Sequence, residues 1–103
     1  MLPIPFPREV VRDLLGITRA LYRAEAAKPV PDQSRLARLT DVGRQYRQAM
    51  DMGRKHGPDT MGGRAAISWA ERATRGLGEY VADCEPIAVA VAASAARLRR
   101  GRR

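Results

Sequence analysis

The sequence predicts an all-α protein: a small bundle of about four helices behind an extended, proline-rich N-terminal arm. Three observations carry this. Apolar residues recur at three- and four-residue steps through four separate segments, breaks rich in Pro and Gly divide those segments, and no stretch shows convincing strand-like alternation. The 103 residues suffice for one domain, not two. The apolar content is dominated by Ala, with one Trp, one Phe and three Tyr, so the core is thin. Such a core often depends on neighbouring chains or a ligand.

Residues 1–7 read Met-Leu-Pro-Ile-Pro-Phe-Pro. Alternating Pro fixes φ and keeps each preceding residue out of the helical region, so the segment is an extended arm. Leu2, Ile4 and Phe6 are its apolar teeth, which either pack on their own domain or dock on a neighbour. The first helix is expected over about 7–27, on Val10, Leu14, Ile17 and Leu21 with Val11, Thr18 and Tyr22 beside them, and Pro29-Val30-Pro31 ends it. The second is expected over about 34–55, capped by Asp32 or Ser34, with a seam of Leu36, Leu39, Gly43, Tyr46, Met50 and Gly53, whose glycines admit another helix closely. The third spans about 59–83, on Ala66, Trp69, Ala70, Ala73, Leu77, Tyr80 and Val81. Trp69 is expected to be substantially buried, because the small residues around it leave room for its ring. The fourth starts at Pro86, a good first-turn residue, and runs to about 100. Ile87, Val89 and Val91 belong to a run that is apolar nearly all round, and with Leu2, Ile4 and Phe6 they are the candidate assembly contacts.

The net charge is +8, and all the basic residues except Lys28 and Lys55 are Arg. Arg keeps its charge at any working pH, and its planar fork matches phosphate oxygens. GC-rich codon usage raises Ala, Arg, Gly and Pro together, which accounts for Arg over Lys better than for the net charge. Residues 97–103 form a basic tail holding five of the Arg residues. In the body, Arg8, Arg12, Arg19 and Arg23 fall within roughly 60° of one another on the first helix, with Glu9 and Asp13 displaced to the edge. Arg44, Arg47, Arg54 and Lys55 share a flank of the second helix, interrupted by Asp51, and Arg64, Arg72 and Arg75 share a face of the third. Amphipathic helices always place charge opposite the core, but they do not dictate its sign. With no aromatic residue interleaved among these arginines, the pattern points to contacts with the RNA or DNA backbone over base recognition.

Catalysis finds no foothold. His56 is the only His and sits in a loop before Gly57-Pro58, where a structural role is expected. No Cys–His pair or His pair at helical spacing supports a metal site, and no cofactor is implied. Met61-Gly62-Gly63-Arg64 lacks the Lys-Ser/Thr of a phosphate-cradling loop and reads as a helix start. Cys84, the single cysteine, reads as an inert buried thiol in a reducing cytoplasm. Prolines interrupt any signal-peptide-like stretch, and the apolar run 87–96 is too short to span a bilayer.

In size, helicity and Arg-striped faces, namely Arg8/Arg12/Arg19/Arg23, Arg44/Arg47/Arg54 and Arg64/Arg72/Arg75, the chain resembles the small-subunit family of multisubunit CRISPR effector complexes. The resemblance implies a repeated, non-catalytic subunit of a ribonucleoprotein, stacked with copies of itself and other subunits and holding nucleic acid by its phosphates. Through Trp69-Ala70-Glu71-Arg72 and Leu77-Gly78-Glu79-Tyr80 it is also similar to the basic four-helix accessory proteins of diversity-generating retroelements, although the fourth helix departs from that pattern. The competing class is a helical protein–protein adaptor whose Arg faces only solubilise.

Overall fold

Proline and glycine divide the chain where the sequence places its breaks. In the computed structural model, which describes residues 6–100, four α-helices follow one another: α1 (Arg8–Ala26), α2 (Gln33–Lys55), α3 (Met61–Tyr80) and α4 (Glu85–Arg100). No strand is present among the described residues. Asp32 caps α2, its carboxylate accepting the backbone N–H of Ser34 at 2.9 Å and of Arg35 at 3.2 Å. Thr60 caps α3 by accepting from the Gly63 N–H at 3.1 Å. Met61-Gly62-Gly63-Arg64 is thus the helix start the sequence indicated. Leu2 and Ile4 lie outside the described residues.

Adjacent helices pack around a ring. The α2–α3 contact is the most extensive, α1 packs on α2, and α4 closes the ring against α3 and α1. The core runs through Val11, Leu14, Leu39, Tyr46, Ala70, Ala73, Leu77, Val81, Val91 and Leu98. On α1 the buried arc also takes in Leu15, which the sequence stripe omits, while Ile17 and Leu21 are only partly buried.

The structure bears on four further expectations. Trp69 is partly buried and packs against the edge of the core, in line with the burial expected of it, with the Arg72 guanidinium 5.1 Å from its ring centre. The fully buried ring is Tyr46, from the facing helix; its hydroxyl pairs with Thr74 Oγ1 at 2.8 Å, and Thr74 in turn donates to the Ala70 carbonyl at 2.7 Å. Cys84 is exposed and not buried as expected, in the turn between α3 and α4. Residues 97–100 complete α4 as the expected helix end does, with Leu98 1% exposed and Arg97 reaching Asp13 at 3.7 Å. Along the run 87–96 the outward positions Val89, Ala90, Ala92 and Ala93 are apolar, as expected. Val91, Ser94 and Leu98 face inward and Ile87 packs partly against the core, which takes Val91 out of the candidate assembly contacts. Their four–three–four spacing puts these inward residues on one helix face.

Phe6 settles on its own domain as well. A Cβ added at Gly53 would lie 2.6 Å from Phe6 Cγ, so Gly53 admits the arm's ring and not a neighbouring helix. Gly63 is more constrained: an added Cβ would collide with the Gly57 carbonyl oxygen and sit 3.0 Å from Pro58 Cα. The turn before α3 closes only on a residue without a side chain.

These contacts set two expectations for thermal melts. Tyr46→Ala should cost about 3–5 kcal/mol, whereas Trp69→Ala, removing a ring at the edge of the core, should cost less, about 2–3 kcal/mol. At the glycines the sign should split. Gly16→Ala meets nothing within 4 Å and should stabilise by about 0.5–1 kcal/mol through helix propensity. Gly63→Ala should destabilise, because backbone would have to move.

Candidate functional site

All eleven candidate cations, Arg8, Arg12, Arg19, Arg23, Arg44, Arg47, Arg54, Lys55, Arg64, Arg72 and Arg75, are solvent-exposed, but their surroundings differ. Arg44 pairs with Asp41 at 3.6 Å. Arg54 and Lys55 share Asp51 at 2.8 and 3.2 Å, which holds that carboxyl below its ordinary range. Arg64 donates to the Asp59 carbonyl at 2.9 Å, and Arg72 lies over Trp69. Arg8, Arg12, Arg19, Arg23, Arg47 and Arg75 make no ion pair among the described residues.

Among the described residues, grooves follow the seams between successive helices. The one between α1 and α2 has a volume of about 320 Å³ and is lined by Arg19, Arg23 and Arg47 with no carboxylate. Leu15, Leu39 and Gly43 are among its other lining residues. A Cβ at Gly43 would meet Arg47 Nη1 at 3.5 Å and Leu15 Cδ1 at 3.9 Å, so the glycine keeps the groove deep. Between α2 and α3, Arg38, Arg72 and Arg75 are interspersed with Asp41 and Glu79. Between α3 and α4, Arg75 and Arg99 stand with Glu71.

The structure therefore does not assemble the eleven residues into one surface. It brings Arg19 and Arg23 together with Arg47 on one side of α2, and Arg72 with Arg75 on another. Arg8 and Arg12 lie toward the start of α1, Arg8 roughly 16 Å along the axis from Arg19. Sequence reasoning missed Arg38, which lines the second groove and stands 5.6 Å from the centre of the Tyr80 ring. It sits on the flank of α2 roughly opposite the Arg44/Arg47 group, and at 100° per residue that separation was readable. Leu15 was the other omission. Counting it into the buried arc turns the arginine stripe from the outward face to the edge beside α2.

The same junction is fixed by a buried carboxylate that sequence reasoning also missed. Glu25, near the end of α1, is 3% exposed. Its Oε2 accepts the Asp32 N–H at 3.0 Å, and its Oε1 pairs with Lys28 Nζ at 3.0 Å and Arg35 Nε at 3.1 Å. Arg35 Nε also donates to the Tyr80 hydroxyl at 3.2 Å, and its guanidinium lies 4.7 Å from that ring's centre. One side chain thus joins α1, the proline loop, the start of α2 and, through Arg35, the end of α3. The Asp32 N–H, followed by Lys28 and Arg35, holds the Glu25 carboxyl below its ordinary value of 4.5. No helix among the described residues is long and apolar enough to cross a membrane.

A depressed folded-state pKa gives a stabilisation that is complete above the unfolded value and lost as pH falls through the folded one. The melting temperature should hold steady down to about pH 4.5 and then drop. Asp32 and Asp51 are depressed too, so Glu25→Gln isolates the share of the clamp. This variant should melt lower than the parent near neutrality and lose less on acidification; parallel curves would mean that Glu25 carries none of the dependence. No protein-family model matches the chain, and neither does any curated protein or solved structure.

Proposed function

We propose that the protein is a non-catalytic binder of the RNA or DNA backbone, working in the cytoplasm as a subunit of a larger ribonucleoprotein. The supporting observation is the groove between α1 and α2, where Arg19, Arg23 and Arg47 face a common space and no carboxylate lines it. Three unpaired guanidiniums repel one another unless an anion lies between them. Phosphates at regular intervals on a chain are the anions that Arg forks fit best. The overall charge of +8 adds attraction toward a polyanion without orienting it. The likeness to CRISPR small subunits belongs to this proposal and rests on size, helicity and arginine faces. A protein–protein adaptor is the second reading, favoured by Val89, 61% exposed on the outer side of α4.

Salt titration separates the two, since phosphate binding weakens steeply with salt and apolar docking does not. The paired and unpaired arginines give an internal comparison. Arg19→Gln with Arg47→Gln should flatten the log–log salt slope by about 0.7 per lost contact on a single strand, or about 0.9 on a duplex. Arg44→Gln with Arg54→Gln removes the same charge from sites already neutralised by Asp41 and Asp51, and should change the slope less. Equal effects from the two pairs would reduce the binding to net charge.

A further inference from the structure

The groove between α1 and α2 holds one more group that a phosphate clamp does not need. Tyr22 lines it and is 40% exposed, whereas Phe6, Tyr46, Trp69 and Tyr80 are all buried or partly buried. It stands three residues after Arg19 and one before Arg23, and helical geometry brings all three to the same flank of α1. The sequence pattern assigned Tyr22 to the edge of the core stripe. By helical angle Tyr22 falls within the arc of Val11, Leu15 and Thr18, yet one turn beyond Thr18 its ring lies at the groove and is 40% exposed.

We infer that this groove takes an unpaired nucleotide, its base stacked on the Tyr22 ring and the flanking phosphates held by Arg19, Arg23 and Arg47. The inference rests on the nucleic-acid reading above and narrows it to single strands. An aromatic face among arginines is the combination that binds single-stranded nucleic acid without reading sequence. A base inside a duplex already has both faces covered by its neighbours and has none free to stack on the ring. Apolar Leu15 and Leu39 suit the planar face of a base, and the volume of about 320 Å³ lies at the small end of ligand-sized sites. Thr18 and Thr40 both donate their hydroxyl protons to their own helix, to the Leu14 and Leu36 carbonyls at 2.9 Å. No Asn or Gln side chain lines the groove, so its recognition of the base is by stacking and tolerates base identity.

The test uses the full chain and fluorescence polarisation, with a labelled mixed-sequence RNA strand, its DNA counterpart, and the duplexes each forms with its complement. Tyr22→Leu should weaken binding of both single strands by about 5- to 150-fold, the range for losing one stacked base, and leave duplex binding unchanged. Tyr22→Phe, which keeps the ring, should bind like the parent. Melting curves of the variants should match the parent, since the ring is exposed. If the parent binds and Tyr22→Leu binds single strands equally well, or loses single strand and duplex alike, the stacking site is overturned and the backbone reading stands. If the parent binds neither single strand nor duplex, both fall.

Discussion

Glu25 is the interaction on which the rest of the arrangement turns. A carboxylate near the C-terminal end of a helix opposes the helix dipole, and burial removes the water that would otherwise solvate it. It is tolerable there only because three groups converge on it: a backbone N–H from the loop and an ammonium, which donate to it, and a guanidinium that forms an ion pair with it. Each group constrains a different part of the chain. Asp32 N–H must point back toward α1, which fixes the path of the loop through Pro29 and Pro31, and the Asp32 carboxylate then caps α2. Arg35 must lie along the α2–α3 seam, where Tyr80 receives it. The junction of α1, the loop and α2, at one end of the groove between the two helices, is tied together by this one buried charge.

Elsewhere the core is held by shape more than by apolar mass. Ala70 and Ala73 of α3 are fully buried, and their size lets α2 come close enough to insert Tyr46. The single polar atom this brings inside is satisfied by Thr74, and burial pushes the Tyr46 hydroxyl pKa well above its ordinary value. A phenol kept neutral and paired is a durable core element. The hydroxyls of Tyr46 and Thr74, with the Ala70 carbonyl, form a chain that has one register, so it specifies how α2 and α3 align in a way that alanine packing alone does not.

Helix number, approximate boundaries and breaks were legible because period, proline and capping residues all report on local geometry. What the sequence concealed came from long-range partners. Trp69 and Tyr46 are each plausible occupants of the space over Ala70 and Ala73, and only the approach of α2 decides between them. Glu25 reads as one more solvated acid until Arg35, ten residues on, folds over it. The same holds for the site. The candidate cations were correctly placed on helix surfaces, but pairing within a helix separates them: Asp41 and Asp51 occupy Arg44, Arg54 and Lys55, while Arg19, Arg23 and Arg47 form no ion pair among the described residues, Asp51 turning to Arg54 and Lys55 and not back to Arg47. The omission of Leu15 from the core stripe hid the groove, and the 40% exposure of Tyr22 could not be read from helical angle at all.

The distribution of acids argues most directly that the groove between α1 and α2 is not an accident of a basic composition. Among the described residues, carboxylates are present in the α2–α3 and α3–α4 grooves and absent from this one. A chain needing Arg only for solubility has no reason to leave one groove uncompensated, because i,i+3 and i,i+4 acid partners are easily placed and stabilise a helix by a few tenths of a kcal/mol each. Along α2 they are so placed, at Asp41 and Asp51, on either side of Arg47. Gly43 is consistent with the same constraint. Ala would fit there in ordinary contact and would favour the helix, yet the residue present is the one that leaves the space between Arg47 and Leu15 open. Charge left unpaired and volume left unfilled coincide at one seam, and both incur a small cost in stability that an anionic occupant would offset.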